Sequence, residues 1–219
     1  MVITSIVLQK KNPLRENIFL DKEFAFGISA ELRFLSKLHV GDHLTSRQVE
    51  ALIQKDQTTR LVEKALKFLS FRPRSEKETR DHLLFKGKLK EMESSEEKKH
   101  YQKSVAEAIS FLVKHKQIDD RQFALWWLEG RRKFKKAGDQ VIRQELFAKG
   151  IGKDLIADLL LEVEQDPEEL ALQAAQKKLV SYQKLEPREF KIKMGQYLAR
   201  RGFSWEIVRR VVDTLLNKK

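Results

Sequence analysis

Two stretches, Leu146-Phe-Ala-Lys149-Gly150-Ile151 and Leu198-Ala-Arg200-Arg201-Gly202-Phe203, read in one register. In each, a basic residue precedes the glycine, a leucine stands four positions before it and an apolar residue follows. A glycine so placed closes a helix, because a left-handed residue costs least without a Cβ. Beyond Gly150 come Leu155-Ile156, Leu159-Leu160 and Val163. Beyond Gly202 come Ile207-Val208, Val211-Val212 and Leu215-Leu216 at the same offsets. Pairs spaced i, i+1, i+4, i+5 share one helical face, so each glycine joins two amphipathic helices.

A third copy surrounds Gly87, with Leu83 four before it and Lys86 just before it. Its downstream pairs, Ala108-Ile109 and Leu112-Val113, fall into register once the polar stretch 88–103 is treated as an insertion, either an exposed loop or a solvated helix extension. Each copy is also preceded by a helix, expected at about 59–70, 120–134 and 167–181. Asp119-Asp120 caps the second; Asp166-Pro167 with Glu169 gives the third a cap, a proline in the first turn and an acidic start. Ser75-Glu-Lys-Glu78 is a capping box opening the middle helix of the first copy. The body is therefore expected to be mainly α: three tandem three-helix repeats (58–118 with the insertion, 119–164 and 165–219) stacked into an elongated array.

The start of the chain differs. Val2, Ile3, Ile6, Val7 and Leu8, then Ile18-Phe19-Leu20, then Phe24, Phe26 and Ile28 in period-two alternation, predict three strands. Asp21-Lys22 marks a hairpin turn without the usual glycine. Three short strands are marginal alone, so this β-containing module, residues 1–57, is expected to lean on a helix at 30–38 or 45–55. Thr45-Ser-Arg-Gln48 is a capping box for the latter.

Composition agrees. Only 9 Gly and 4 Pro occur in 219 residues, which suits long helices, and 41% hydrophobic residues suffice for a core. Lys and Arg number 44 against 32 Asp and Glu, a net charge of +12, which points to nucleic acid, an acidic protein or a membrane surface as partner. Cysteine is absent, which removes disulfides, thiol catalysis and thiolate metal sites together. No run reaches the ~18 apolar residues of a membrane span, and the start lacks a signal-peptide pattern, so a soluble intracellular protein is expected.

Catalytic chemistry is hard to place. His39 and His43 are four apart but lack a convincing third ligand; all five histidines read better as solvated. Gly150-Ile-Gly152-Lys153 lacks phosphate-loop spacing and fits a helix C-cap. Asp119-Asp120 reads as a cap rather than an acid–base pair. No enzyme, cofactor or metal is expected. The basic residues offer more. Arg131-Arg132-Lys133-Phe134-Lys135-Lys136 is the densest run, with more charge than a helix C-terminus needs. Arg72, Arg74, Arg80, Lys86, Arg143, Lys149, Arg200, Arg201, Arg209 and Arg210 complete the expected interaction surface with Arg131, Arg132, Lys135 and Lys136. Phe68, Phe71, Phe123, Trp127 and Trp205 read mainly as core, and Trp126 as the best exposed aromatic.

The run Ala65-Leu66-Lys-Phe-Leu69-Ser70-Phe-Arg72-Pro73-Arg74-Ser75-Glu76-Lys-Glu78 resembles the first-repeat signature of the RecX regulatory proteins. Ile118-Asp119-Asp120-Arg-Gln-Phe123-Ala124, Lys149-Gly150-Ile151 and Tyr197-Leu198-Ala-Arg200-Arg201-Gly202-Phe203-Ser204 continue the likeness, and Asn17-Ile-Phe-Leu-Asp21 with Phe24-Ala-Phe-Gly27 resembles the extra amino-terminal module of longer members. The resemblance implies a monomeric bacterial cytoplasmic modulator of the RecA recombinase, acting in homologous recombination, DNA repair and the SOS response. Such a protein would bind the RecA–DNA filament along its groove and inhibit ATPase and strand exchange, and some members also bind single- and double-stranded DNA directly. A sequence-independent DNA-binding protein is the alternative.

Overall fold

The computed structural model describes residues 1–85, 92, 94–163 and 165–217. They form two compact units: Met1–Phe71 with Thr79–Gln117, and Arg72–Glu78 with Ile118 onward.

The first unit opens with the expected meander: β1 (Ile3–Gln9), β2 (Asn12–Leu20) and β3 (Glu23–Ser29), antiparallel in sequence order. Asp21 and Lys22 both take positive φ, +50° and +72°, the two-residue turn that matches strand twist. Asp21 bears that geometry without glycine while its carboxylate accepts the Val2 N–H at 2.9 Å. Ile3, Ile18, Leu20, Phe26 and Ile28 face a core completed by Leu32, Leu38 and Leu44. Phe24 does not join them. The ladder slips where Phe19 faces Phe24 and Ile18 faces Phe26, so the alternation breaks and Phe24 is left exposed.

A short helix, α1 (Ala30–Leu35), leads to α2 (Ser46–Leu69), which carries the predicted Thr45/Gln48 capping box. Here the expectation of separate helices at 45–55 and 59–70 is corrected. Nothing between them breaks a helix, and α2 runs unbroken through the 57/58 junction. Its first half covers the sheet through Val49 and Leu52, and its second half buries Leu61 and Ala65. Asp56, 4% exposed, fastens it to the sheet. Its carboxylate accepts both Arg15 terminal nitrogens (3.1 and 2.7 Å) and the Ser29 N–H (2.9 Å).

α3 (Glu76–Leu83) and α4 (Ser95–Lys114) complete the helices of the first repeat, and α4 packs on α2. α4 starts inside the expected insertion, capped by Ser94 and Glu97. Its Tyr101 is fully buried and donates to the Leu83 carbonyl at 2.8 Å, so this part of 88–103 belongs to the core. Ala108, Ile109 and Leu112 are buried as the register requires, whereas Val113 is exposed. Lys86, Gly87 and most of 88–93 lie outside the described residues.

The second unit holds α5 (Asp120–Gly130), α6 (Asp139–Ala148) and α7 (Lys153–Glu162), then α8 (Pro167–Tyr182), α9 (Pro187–Arg200) and α10 (Trp205–Asn217). Each triplet has its own core. Phe123, Leu128, Ile142, Leu146, Ile151, Ile156 and Leu159 fill the first. Leu170, Phe190, Met194, Leu198, Phe203, Val208 and Val211 fill the second. Gly150 and Gly202 take φ of +88° and +87°. Behind them, Ile151 N–H reaches Leu146 O at 3.1 Å and Phe203 N–H reaches Leu198 O at 3.4 Å, closing the same cap twice. The first helix of the middle repeat ends earlier than expected: 131–135 form a π-helical turn stopped by left-handed Lys136.

Candidate interaction surface

The second unit contains two joints of one design. In the first, Ser75, at the start of α3, donates its hydroxyl to the carbonyl of Lys149, one residue before Gly150 (2.7 Å). In the second, Gly138, at the start of α6, donates its N–H to the carbonyl of Arg201, one residue before Gly202 (2.7 Å), and Gln140 N–H adds a bond to Gly202 O (3.1 Å). Contact is close at both. A Cβ on Gly150 would stand 2.6 Å from Lys77 Cβ, and one on Gly138 would stand 2.4 Å from Gly202 O.

Around the first joint, cations are consumed by carboxylates and rings. Glu78 accepts both terminal nitrogens of Arg72 (3.0 Å each) and the Lys149 ammonium (2.6 Å). Burial pushes the Glu78 carboxyl up, but hydrogen bonds and charge from Arg72 and Lys149 outweigh it and hold the group at about 2. The Lys149 ammonium also lies 4.2 Å from the Trp127 ring centre and the Arg131 guanidinium 4.4 Å from it. Glu145 accepts from both Trp127 Nε1 (2.7 Å) and Arg131 Nε (2.6 Å). Burial lowers the Arg74 pKa, and the neighbouring Arg72 charge adds to that. Asp120, raised chiefly by burial, accepts the Glu76 N–H at 2.7 Å.

The predicted basic residues therefore separate into kinds. Arg72, Arg131 and Lys149 are half-buried parts of this network. Arg132 leaves the surface set altogether. It is 7% exposed and donates to Val163 O and, at 3.0 Å, to Asp139. Ala124, Leu128 and Arg132 sit four residues apart along one stripe, the signal in the sequence that turns Arg132 inward. Arg210 is exposed but shared between Glu206 (3.1 Å) and Glu168 (3.5 Å). Lys135, Lys136, Arg143, Arg200, Arg201 and Arg209 have no carboxylate partner among the described residues; Lys135, Arg143, Arg200 and Arg209 are exposed. The second joint seats Gly138, two residues after Lys136, on the Arg201 carbonyl, so the chain at 135–136 and at 200–201 flanks one joint. Arg74 is half-buried near Glu78, Arg80 lies on α3 in the first unit, and Lys86 lies outside the described residues.

Aromatics divide similarly. Phe123 is core, Trp126 is 40% exposed with the Arg72 guanidinium 5.8 Å from its ring, and Phe71 and Trp205 stand open at 76% and 73%. Both of the latter were expected in the core; each sits at a helix end beyond the buried stripe. Among the described residues no group of three or more His, Asp or Glu is placed to hold a metal, and no helix is long and apolar enough to cross a membrane.

Four family models match this chain in order. They are the RecX N-terminal domain over 1–45 and the first, second and third RecX three-helix domains over 62–88, 119–160 and 164–212. A regulatory protein RecX of Clostridium botulinum (strain Eklund 17B / Type B) is 34% identical, over 98% of this chain and 96% of that protein. The chain belongs to the RecX family. The RecX protein of Bacillus subtilis (strain 168) is 33% identical over 97% of this chain and 76% of its own length. A crystal structure of regulatory protein RecX superposes with a TM-score of 0.71 at 29% identity, covering 97% of this chain and 98% of the other. The mainly helical fold with three three-helix domains and a small amino-terminal sheet is thus that of RecX proteins.

Proposed function

We propose that this RecX-family chain is a cytoplasmic regulatory protein without catalytic activity that binds RecA–DNA filaments along their groove and inhibits the recombinase, acting in recombination and DNA repair. The observation that carries the reading is the repeated joint. Ser75 on Lys149 and Gly138 on Arg201 repeat one joint within the second unit, and a repeated joint suits a partner that is itself periodic. Weak contacts spread over successive units add up through effective concentration, without any single strong site. The unpaired cations offer favourable electrostatics to a nucleoprotein polymer. RecA ATPase on single-stranded DNA, followed with added protein across a salt series and beside retention of bare DNA, tests it. Inhibition is expected to persist at salt where DNA retention is lost, since buried protein contacts are screened less. Absence of inhibition, or curves that fall together, would favour a DNA-binding protein acting on its own.

A further inference from the structure

The two joints differ in one position that changes their electrostatics. Counting from the helix starts Ser75 and Gly138, Arg72 corresponds to Lys135 and Glu78 to Val141; before the cap glycines, Lys149 corresponds to Arg201. At the first joint the Glu78 carboxylate bridges Arg72 and Lys149. At the second, the residue at that count is Val141, which brings no charge and packs against Gly202, where a Cβ would lie 2.8 Å from Val141 Cβ.

We propose that the joint between the second and third repeats is a phosphate site for a nucleic-acid strand, a backbone phosphate supplying the negative charge that Glu78 supplies at the first joint. Lys135 and Arg201, the counterparts of the bridged pair, have no carboxylate partner among the described residues, and neither do Lys136 and Arg200 beside them. The nearby acid, Asp139, is already engaged by buried Arg132 at 3.0 Å. Arg201 lies 4.8 Å over the Tyr197 ring, a contact that orients the guanidinium and leaves its charge unneutralised. Four unneutralised cations exceed what one acidic side chain of a protein partner would satisfy. A phosphodiester strand brings a charge per nucleotide and meets them in succession. Exposed Phe134, next to Lys135 in the chain and with the Lys133 ammonium 5.6 Å from its ring, offers an aromatic surface on which a base can rest.

The test installs the missing carboxylate. Val141→Glu copies the first joint and should neutralise the site from within, while Val141→Gln matches its size without charge. Binding of the full chain to fluorescent single- and double-stranded oligonucleotides is measured across salt, with melting temperature and far-UV spectrum confirming the fold. Val141→Glu is expected to weaken binding about tenfold and to flatten the log–log salt slope by ~0.7–0.9 for each phosphate lost. Val141→Gln should bind like the native chain. Should Val141→Glu fail to fold, Lys135→Gln carries the same expectation, because its exposed side chain supports nothing. Equal loss in both Val141 variants, or native affinity and slope in the charged ones, overturns the proposal. So does loss of RecA inhibition with bare-DNA binding intact, which would assign the joint to an acidic protein side chain. RecA inhibition is scored separately, so the filament reading can fail while the phosphate site stands.

Discussion

Lys149 and Glu78, 71 residues apart, meet at 2.6 Å, and the same carboxylate holds Arg72. The start of α3 is thereby tied electrostatically, as well as through the Ser75 hydroxyl, to the end of α6.

That tie is pH-dependent with a definite sign. The folded-state pKa of Glu78, about 2, lies below the ordinary 4.5. Its contribution is therefore fully present above about pH 4.5 and is lost as pH falls towards 2. Partial exposure and screening reduce it to roughly 1 kcal/mol. Melting temperatures of the native chain and Glu78→Gln should differ at pH 6 and converge by about pH 2; a pH-independent gap would show that the charge is not the cause.

The cap glycines should tolerate substitution very unequally. Gly202 combines φ of +87° with a Cβ position 2.4 Å from Val141 N, whereas Gly152 has ordinary φ and open space around it. Gly202→Ala is expected to cost ~2 kcal/mol or more in urea unfolding, Gly152→Ala less than about 1. Similar losses would mean that the joint yields to a methyl group.

Asp56 joins the meander to α2 from a position 4% exposed. Removing it leaves the Arg15 guanidinium and the Ser29 N–H without that acceptor. Asp56→Ala should cost ~3 kcal/mol, with amide exchange rising first in the strands. Uniform loss of protection throughout the chain would instead make sheet and helices one cooperative block.

Much of this arrangement was legible in the sequence because it is local. Gly150 and Gly202, the apolar pairs after them, the Thr45/Gln48 box and the Asp21-Lys22 turn each depend on neighbours a few residues away. What escaped depends on distant partners. Nothing near residue 57 announces that one helix serves both sheet and repeat; Asp56 explains it only through Arg15. Tyr101 reads as part of a polar insertion until Leu83 O accepts its hydroxyl. Basic residues were found by composition, but composition cannot tell Lys149, spent on Glu78, from Lys135 with no such partner. Setting 75–78 against 138–141 would have exposed the Glu78–Val141 difference from sequence alone.

The densest basic run consequently mixes two roles that mutagenesis should separate. Arg132 holds Val163 O and Asp139 from inside the middle repeat, and Arg131 is locked to Glu145 and Trp127. Truncating Arg132 removes a buried side chain together with its bonds to Val163 O and Asp139, so Arg132→Ala should cost ~2–4 kcal/mol. Lys135 and Lys136 make no ion pair among the described residues, and Lys135→Ala with Lys136→Ala should stay within about 0.5 kcal/mol each. Binding should show the opposite order. At a temperature where both variants are folded, Lys135→Ala/Lys136→Ala is expected to lose affinity for DNA and to flatten its salt dependence. Arg132→Ala should retain the native slope. A blanket reversal of residues 131, 132, 135 and 136 would confound unfolding with lost contact, so the two pairs must be changed apart. If Arg132→Ala proves fully stable yet binding-deficient, the buried guanidinium is serving the partner, and the division of the run into structural and contacting halves fails.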